Sequence, residues 1–123
     1  KKAERQEWNP HWYGTAQRPG GVNDGEELWQ KLVKRHKNMM FTLNGHVLHD
    51  GLGYLASKGD HGNTVHQILS NYQMKKDGGE AFLRLMEFLP DGKTVQIKTY
   101  SPHLDEYKTD EGNQFVVKLQ GAE

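Results

Sequence analysis

The sequence predicts an α+β fold, with one helix followed by mostly antiparallel β structure. Apolar residues recur at helical spacing between Glu26 and Lys37, and several short apolar runs separated by glycine-rich loops follow them. The 123 residues suffice for one domain, although only 34% of them are hydrophobic and the core should therefore be modest. We expect residues 1–123 to form a single domain.

The helix is predicted over residues 26–37. Asn23 or Asp24 can cap its first turn, together with Glu26 or Glu27. Its apolar stripe consists of Leu28, Trp29, Leu32, Val33 and His36.

Residues 1–25 combine turn-forming dipeptides with Trp8, Trp12 and Tyr13. We expect a loop that these aromatic side chains hold against the core. The same cluster is also compatible with a platform for a sugar ring, and both interpretations stay open.

Residues 39–123 are predicted to be mainly β structure. Five segments have the composition of strands: Met39–Leu43, Leu52–Ala56, Phe82–Leu89, Thr94–Thr99 and Phe115–Leu119. The third and fourth are joined by Pro90-Asp91-Gly92-Lys93, which is typical of a hairpin turn. The third segment is apolar on both faces except at Arg84 and Glu87, which predicts an interior strand.

The composition excludes several classes of site. The chain has no cysteine, so disulfides, thiolate zinc sites and cysteine nucleophiles are excluded. Lys+Arg and Asp+Glu are both 16, and we expect no binding to nucleic acid or to an anionic membrane surface. No apolar run approaches the roughly 20 residues that span a bilayer. The compartment stays open, with a secreted or periplasmic parent protein as one option.

The segment Met39–Gly51 is the starting point for function. It is predicted to be an apolar strand that runs into a Gly-His turn, so His46 should lie at the carboxyl edge of a sheet, where open α/β sheets bind ligands and metals. Gly45 is expected to let the chain turn sharply and to leave room for a large neighbour such as a metal ion.

A succession of short motifs carries a family resemblance. They are Asn44-Gly45-His46-Val47, Gly59-Asp60-His61-Gly62-Asn63-Thr64-Val65-His66-Gln67, Asn71-Tyr72-Gln73, Gly78-Gly79, Phe82-Leu83-Arg84-Leu85 and Thr99-Tyr100-Ser101-Pro102. In this order the chain resembles the carboxyl-terminal part of bacterial calcineurin-like metallophosphoesterases. The resemblance covers nearly all of the chain from about Trp8 onward. Because the chain also begins without Met, we expect it to be a C-terminal fragment of a longer metallophosphoesterase.

The resemblance implies a four-layer α/β/β/α sandwich with two metal ions, whose last ligand motif is Gly-His-X-His. His46 matches the first histidine of that motif and is implied to be a metal ligand. The second would fall at Leu48, and His49 or His61 is the candidate replacement from a neighbouring loop. Divalent Zn, Mn, Fe, Ni or Co is implied, with no basis for choosing among them. The residues expected to orient the ligands are Asn44, Asp50 and Asp60.

The same resemblance implies β structure after the last ligand motif. We therefore expect a strand at Val65–Tyr72, although the spacing of Val65, Ile68, Leu69 and Tyr72 is helical.

The expected function is hydrolysis of phosphate mono- or diesters by two-metal catalysis. The family's upstream motifs (Asp-X-His, Gly-Asp-X-X-Asp and Gly-Asn-His-Asp/Glu) have no counterpart in this chain. We therefore expect no catalytic residue in this fragment, and activity only together with the N-terminal part of the same protein. Two alternatives are a non-catalytic module that binds carbohydrate or protein, and a simple histidine-based metal-binding domain. An uncovered sheet edge or face also predicts self-association.

Overall fold

The computed structural model describes residues 20, 22–46 and 51–119. Helix α1 (Gly25–Lys31) is followed by a 3₁₀ turn (Val33–Arg35), and a second 3₁₀ turn (Lys76–Gly78) lies between β3 and β4. The seven strands are β1 (Phe41–Asn44), β2 (Leu52–Lys58), β3 (Thr64–Ser70), β4 (Leu83–Phe88), β5 (Thr94–Ser101), β6 (Glu106–Lys108) and β7 (Phe115–Lys118). The predicted α+β class is confirmed.

The predicted loop with Trp8, Trp12 and Tyr13 lies outside the described residues. In the part of the chain that is described, no helix has the length and apolar character needed to cross a bilayer.

Helix α1 begins as the sequence indicates. The Asp24 carboxylate accepts from the backbone N–H of Glu27 at 2.8 Å, and the Glu27 carboxylate accepts from the backbone N–H of Asp24 at 3.0 Å. This reciprocal capping box stabilises the first turn. Trp29 and Val33 are buried, whereas Leu28 and Leu32 are exposed, so the buried stripe is narrower than predicted.

The prediction that the helix continues to residue 37 was wrong, because the backbone of Leu32 leaves the helical region at φ −129° and a 3₁₀ turn follows. The 59–63 loop then binds the carbonyl groups at the end of this segment. The oxygen of Lys34 accepts from the backbone N–H of Asp60 at 2.7 Å. The oxygen of Arg35 accepts from Nε2 of His61 at 3.1 Å. The oxygen of His36 accepts in the same way from the side-chain amide of Asn63 at 3.3 Å. The loop therefore acts as the C-terminal cap of this segment.

Sheet A consists of β1, β3 and β2, in that order. β1 is parallel to β3, with Asn44 paired to Leu69, and β2 is antiparallel to β3. The residues expected to form a strand at 65–72 do so, with bounds Thr64–Ser70, and their helical spacing is misleading. β3 lies between two neighbours and carries buried residues on both faces, so its apolar positions do not alternate.

Sheet B is an antiparallel sheet in which β5 is central. β4 pairs with one edge of β5, while β7 and β6 share the other edge. The predicted hairpin between β4 and β5 is present, and Asp91 closes its turn. Hydrogen bonds from the Thr94 hydroxyl and from the backbone N–H groups of Lys93 and Thr94 lower the pKa of Asp91 to about 2.

The prediction that residues 82–89 form an interior strand was wrong. Among the described residues β4 pairs only with β5, and its apolar side chains Leu83, Leu85 and Phe88 are exposed. β6 has no counterpart among the predicted strands. The last strand was predicted correctly, with Val117 buried and Phe115 packed against the core.

The described elements form three layers: α1, sheet A and sheet B. On one face of sheet A, Val65 packs against Trp29 and Val33. On the other face, Ile68 packs against Val95, Ile97 and Val117 of sheet B. Burial of apolar surface on both faces of β3 is the main force that holds the layers together.

Gly51 is the point where β2 begins beside the end of β3. Its backbone oxygen accepts from the N–H of Asn71 at 2.6 Å, and its φ is +30°. A Cβ atom at Gly51 would overlap the backbone oxygen of Asn71 and lie 3.1 Å from its carbonyl carbon. At Gly45 a Cβ would meet only the oxygen of Ser70, at an ordinary 3.7 Å.

We predict that Gly51→Ala lowers the free energy of unfolding by at least about 2 kcal/mol, because the methyl group forces β2 and β3 apart. Gly45→Ala is the matched control and should change it by less than about 0.5 kcal/mol. Urea unfolding of the two variants checks this. Equal destabilisation by both variants would show that the close approach of Gly51 to Asn71 is not the cause of the loss of stability.

His66 is buried between the two sheets. Its Nδ1 lies 2.8 Å from the hydroxyl oxygen of Tyr54, and its Nε2 is buried without a hydrogen bond of good geometry. The rings of Phe41 and Tyr54 pack on either side of it. Burial lowers the pKa of His66 below its ordinary 6.5, and the backbone of Lys118 opposes this shift in part.

A lowered pKa in the folded state means that the unfolded chain binds more protons just below pH 6.5. The stability that neutral His66 contributes should therefore be complete above pH 6.5 and be lost as the pH falls towards the folded-state pKa. The slope cannot exceed the one-proton limit of about 1.4 kcal/mol per pH unit. Urea unfolding between pH 7.5 and 5 should show a smaller slope for His66→Phe than for the wild type.

The exposed His103 supplies the control for that experiment, and His103→Gln should keep the wild-type slope. An unchanged slope in His66→Phe would contradict the assignment to His66.

Candidate functional site at the carboxyl edge of sheet A

The carboxyl ends of β1 and β3 meet at one edge of sheet A because the two strands are parallel. Asn44 ends β1 and His46 follows it, while residues 71–73 follow β3. The Asn44 side-chain amide donates to the backbone oxygen of Ile68 at 3.2 Å and so joins the two strand ends. The same amide lies within hydrogen-bond distance of the hydroxyl of Thr42 at 3.2 Å, so the hydrogen bonds of Asn44 go to the strands and not to the histidine.

His46 adopts an unusual backbone conformation. Its φ is +58°, in the left-handed region that residues other than glycine seldom occupy, although asparagine, aspartate and histidine do so more often than the rest. The sharp turn expected at Gly45 therefore occurs one residue later, because Gly45 is not in the left-handed region. The His46 side chain is exposed at the sheet edge. A strained residue that exposes a functional group is a signature of sites where function outweighs stability.

Gln73 is the partner of the His46 ring. Its carboxamide oxygen Oε1 lies 3.2 Å from Nδ1 of His46. Gln73 belongs to one of the motifs that carry the resemblance, but no role was predicted for it. It is 27 positions from His46 in the sequence, and a glutamine side chain by itself does not indicate a site. Only the parallel pairing of β1 with β3 brings the two residues together.

Tyr72 fixes the backbone that precedes Gln73. Its hydroxyl group is buried, donates to Oδ1 of Asn113 at 2.9 Å and accepts from the guanidinium of Arg84 at 3.0 Å. The same oxygen lies 3.1 Å from Oγ1 of Thr99 in β5. The network extends outward, because the amide of Asn113 donates to the Asp110 carboxylate and thereby lowers its pKa.

The segment after Gln73 has a strained backbone. Five successive residues have positive φ: Asp77 (49°), Gly78 (70°), Gly79 (102°), Glu80 (50°) and Ala81 (57°). A Cβ at Gly79 would lie 2.7 Å from the backbone oxygen of Tyr72, so this turn folds tightly against the anchored residue. The left-handed run is thus part of the same edge of the molecule.

The structure does not bring His61 and Asp60 to this edge. Both lie in the 59–63 loop at the opposite end of β3, which at about 3.3 Å per residue is roughly 20 Å long. His61 donates to the oxygen of Arg35, and Asp60 forms an ion pair with Lys34 at 3.7 Å. A metal ion held by His46 and one held by His61 would be two different ions. His49 and Asp50 lie outside the described residues.

His46 fits one ligand position of a transition metal and not a complete site. With Nδ1 bonded to a carboxamide oxygen, Nε2 remains for a metal ion, which is how ligating histidines are usually held. Across residues 20, 22–46 and 51–119, no group of three or more His, Cys, Asp or Glu side chains is arranged to hold a metal.

Comparison with known proteins shows similarity to part of a bacterial protein. In an alignment 94 residues long that covers 70% of this chain, the sequence is 33% identical to the uncharacterized protein YvnB of Bacillus subtilis (strain 168). The matched part is only 7% of the length of YvnB. No family model and no solved structure gives a significant match.

We predict that Tyr72→Phe lowers the free energy of unfolding by about 2 kcal/mol, because it leaves the buried Oδ1 of Asn113 without its donor. Tyr107→Phe is the control, since Tyr107 is 53% exposed, and should change stability by less than about 0.5 kcal/mol. Thermal or urea unfolding measures both. An unchanged free energy of unfolding in Tyr72→Phe would show that the hydroxyl network does not stabilise the fold.

Proposed function

We propose that this chain is the carboxyl-terminal portion of a metal-dependent phosphoesterase that hydrolyses phosphate mono- or diesters. The observation that supports the proposal is His46, an exposed imidazole in a left-handed conformation at the carboxyl edge of sheet A. Its motif, Asn44-Gly45-His46-Val47, is the one in which the resemblance to calcineurin-like metallophosphoesterases implies a metal ligand.

In this proposal the metal ions, this chain and the N-terminal part of the protein have different roles. Bound divalent metal ions would supply charge stabilisation of the phosphoryl oxygens and a nucleophilic hydroxide at neutral pH. This chain would contribute the neutral imidazole of His46 as a ligand, with Gln73 holding the ring. The remaining ligands would come from the N-terminal part of the same protein.

Two strand edges without a neighbouring strand in the described structure support the proposal that a further segment binds here. Among the described residues β1 pairs only with β3, and β4 pairs only with β5. Phe41 and Phe88, on these two edge strands, are in contact with ring centroids 6.0 Å apart. Phe88 is 58% exposed, and Leu43, two residues after Phe41 in β1, is 66% exposed.

Exposed strand edges with apolar side chains bind further strands. We therefore propose that the N-terminal part of the parent protein extends both sheets here and completes the four-layer sandwich. In the isolated chain the same edges would favour self-association.

A second candidate is a non-catalytic protein-binding module. The outward face of sheet B carries Tyr100 and Tyr107, whose ring centroids are 4.7 Å apart, and Val116, which is 55% exposed. Exposed aromatic and aliphatic side chains of this kind are enriched in protein interfaces. On this alternative, substitutions at His46 would leave every activity of the parent protein unchanged.

We predict that the 123-residue chain alone hydrolyses p-nitrophenyl phosphate no faster than buffer with Mn or Zn, whereas the longer parent protein does. In the parent protein His46→Gly should lower kcat/KM by about 100-fold or more, equivalent to about 2.7 kcal/mol. The same change should not destabilise the isolated chain, since glycine relieves the left-handed strain.

The control is His103→Gln, which removes an exposed histidine elsewhere and should keep full activity. Hydrolysis by the short chain alone, or full activity of His46→Gly in the parent, would refute the proposal. Calorimetric titration of Zn into the short chain and its His46→Gly variant separates a simple metal-binding domain from the phosphoesterase portion.

A further inference from the structure

We propose that Gln73 is a positioning residue for His46: its carboxamide oxygen accepts the Nδ1–H of the imidazole, holds the ring and leaves the lone pair on Nε2. The consequence for metal binding rests on the proposed function. The hydrogen bond itself is a property of the metal-free chain.

The position of Gln73 is set by its neighbours in the sequence. Asn71 is tied to the start of β2 by its backbone hydrogen bond to Gly51, and the Tyr72 hydroxyl is buried in the network with Asn113 and Arg84. The backbone on the amino-terminal side of Gln73 is therefore fixed relative to both sheets. An exposed side chain on an anchored backbone loses less freedom when it forms a hydrogen bond.

The position of His46 is set by β1. Parallel pairing to β3 ends at Asn44, whose side chain binds the oxygen of Ile68. His46 follows two residues later with a left-handed φ. The two side chains meet with 3.2 Å between Nδ1 and Oε1. Because Oε1 of a carboxamide can only accept, Nδ1 must carry the proton.

The tautomer has a chemical consequence. A neutral imidazole has one N–H and one lone pair, so protonation of Nδ1 leaves Nε2 as the nitrogen able to bind a metal. If the carboxamide were rotated so that its NH₂ group faced Nδ1, the lone pair would be engaged there and Nε2 would carry the proton. Measuring which of the two tautomers His46 adopts therefore tests directly whether the Gln73 oxygen accepts from Nδ1–H.

The experiment is ¹⁵N NMR of the imidazole nitrogens in the metal-free 123-residue chain at pH 8.5, where ordinary histidines are neutral. Three proteins are compared: wild type, Gln73→Glu and Gln73→Met. Glutamate keeps an acceptor oxygen at the same distance along the side chain, and methionine has a similar length without a good acceptor. His61 is an internal reference, since its Nε2 donates to the oxygen of Arg35 and should stay protonated in all three.

We expect His46 to be protonated mainly on Nδ1 in the wild type and in Gln73→Glu. In Gln73→Met the ratio of the Nδ1–H form to the Nε2–H form should fall by about 5-fold to 10-fold. A wild-type His46 protonated on Nε2, or a ratio that Gln73→Met leaves unchanged, would overturn the inference. The unchanged His61 signals show that each variant keeps its fold.

A second measurement separates this inference from the proposed function. In the parent protein, calorimetry should show metal affinity lowered by about 10-fold to 100-fold in Gln73→Met and largely restored in Gln73→Glu. If the parent protein hydrolyses phosphoesters but the tautomer ratio of His46 does not depend on residue 73, only the positioning role is overturned. A confirmed tautomer in a parent that binds no metal would support the hydrogen bond and refute the phosphoesterase.

Discussion

The hydroxyl group of Tyr72 connects sheet A to sheet B through buried hydrogen bonds. Tyr72 follows the central strand of sheet A, while its hydrogen-bond partners Arg84 and Asn113 belong to β4 and to the loop before β7. Buried polar groups are costly when unpaired, so this oxygen specifies one arrangement of the two sheets more strictly than apolar packing alone would. The geometry at the carboxyl edge of sheet A depends on that arrangement.

Of the five non-glycine residues with positive φ in the described part of the chain, four lie at or next to the edge that Tyr72 anchors. His46 has a left-handed backbone, and the run from Asp77 to Ala81 has five positive φ angles in succession. Glycine accounts for two of those five positions, which leaves three L-residues in a conformation that costs about 1–2 kcal/mol each. The favourable packing of Val65 and Ile68 on the two faces of β3 offsets this cost.

Much of the fold follows from local sequence, and the remainder depends on contacts between distant residues. The capping box at Asp24 and the turn at Asp91 are local, and both form as the residues indicate. The end of α1 was mispredicted because the backbone leaves the helical region at Leu32, and the 3₁₀ turn that follows binds a loop more than 20 residues later. The strand at Thr64–Ser70 could not be derived from spacing, because burial on both faces removes the alternation that marks a strand.

The candidate site shows the same limit. A Gly-His pair after an apolar strand was enough to place His46 at the carboxyl edge of a sheet. His61 was predicted as a candidate replacement ligand and Asp60 as an orienting residue, but the hairpin between β2 and β3 carries them to the other end. Gln73 could not be found without the parallel register of β1 and β3, which no local pattern encodes.

The 59–63 loop has a consequence for how this sequence can change. Its three donors, the Asp60 N–H, the His61 ring and the Asn63 amide, match three successive carbonyl groups at Lys34, Arg35 and His36. Inserting or deleting one residue would displace the whole series, although hairpin loops usually tolerate such changes. The length of this loop is therefore constrained by the 3₁₀ turn and the residue after it, and we expect this loop to change in evolution by substitution and not by insertion or deletion.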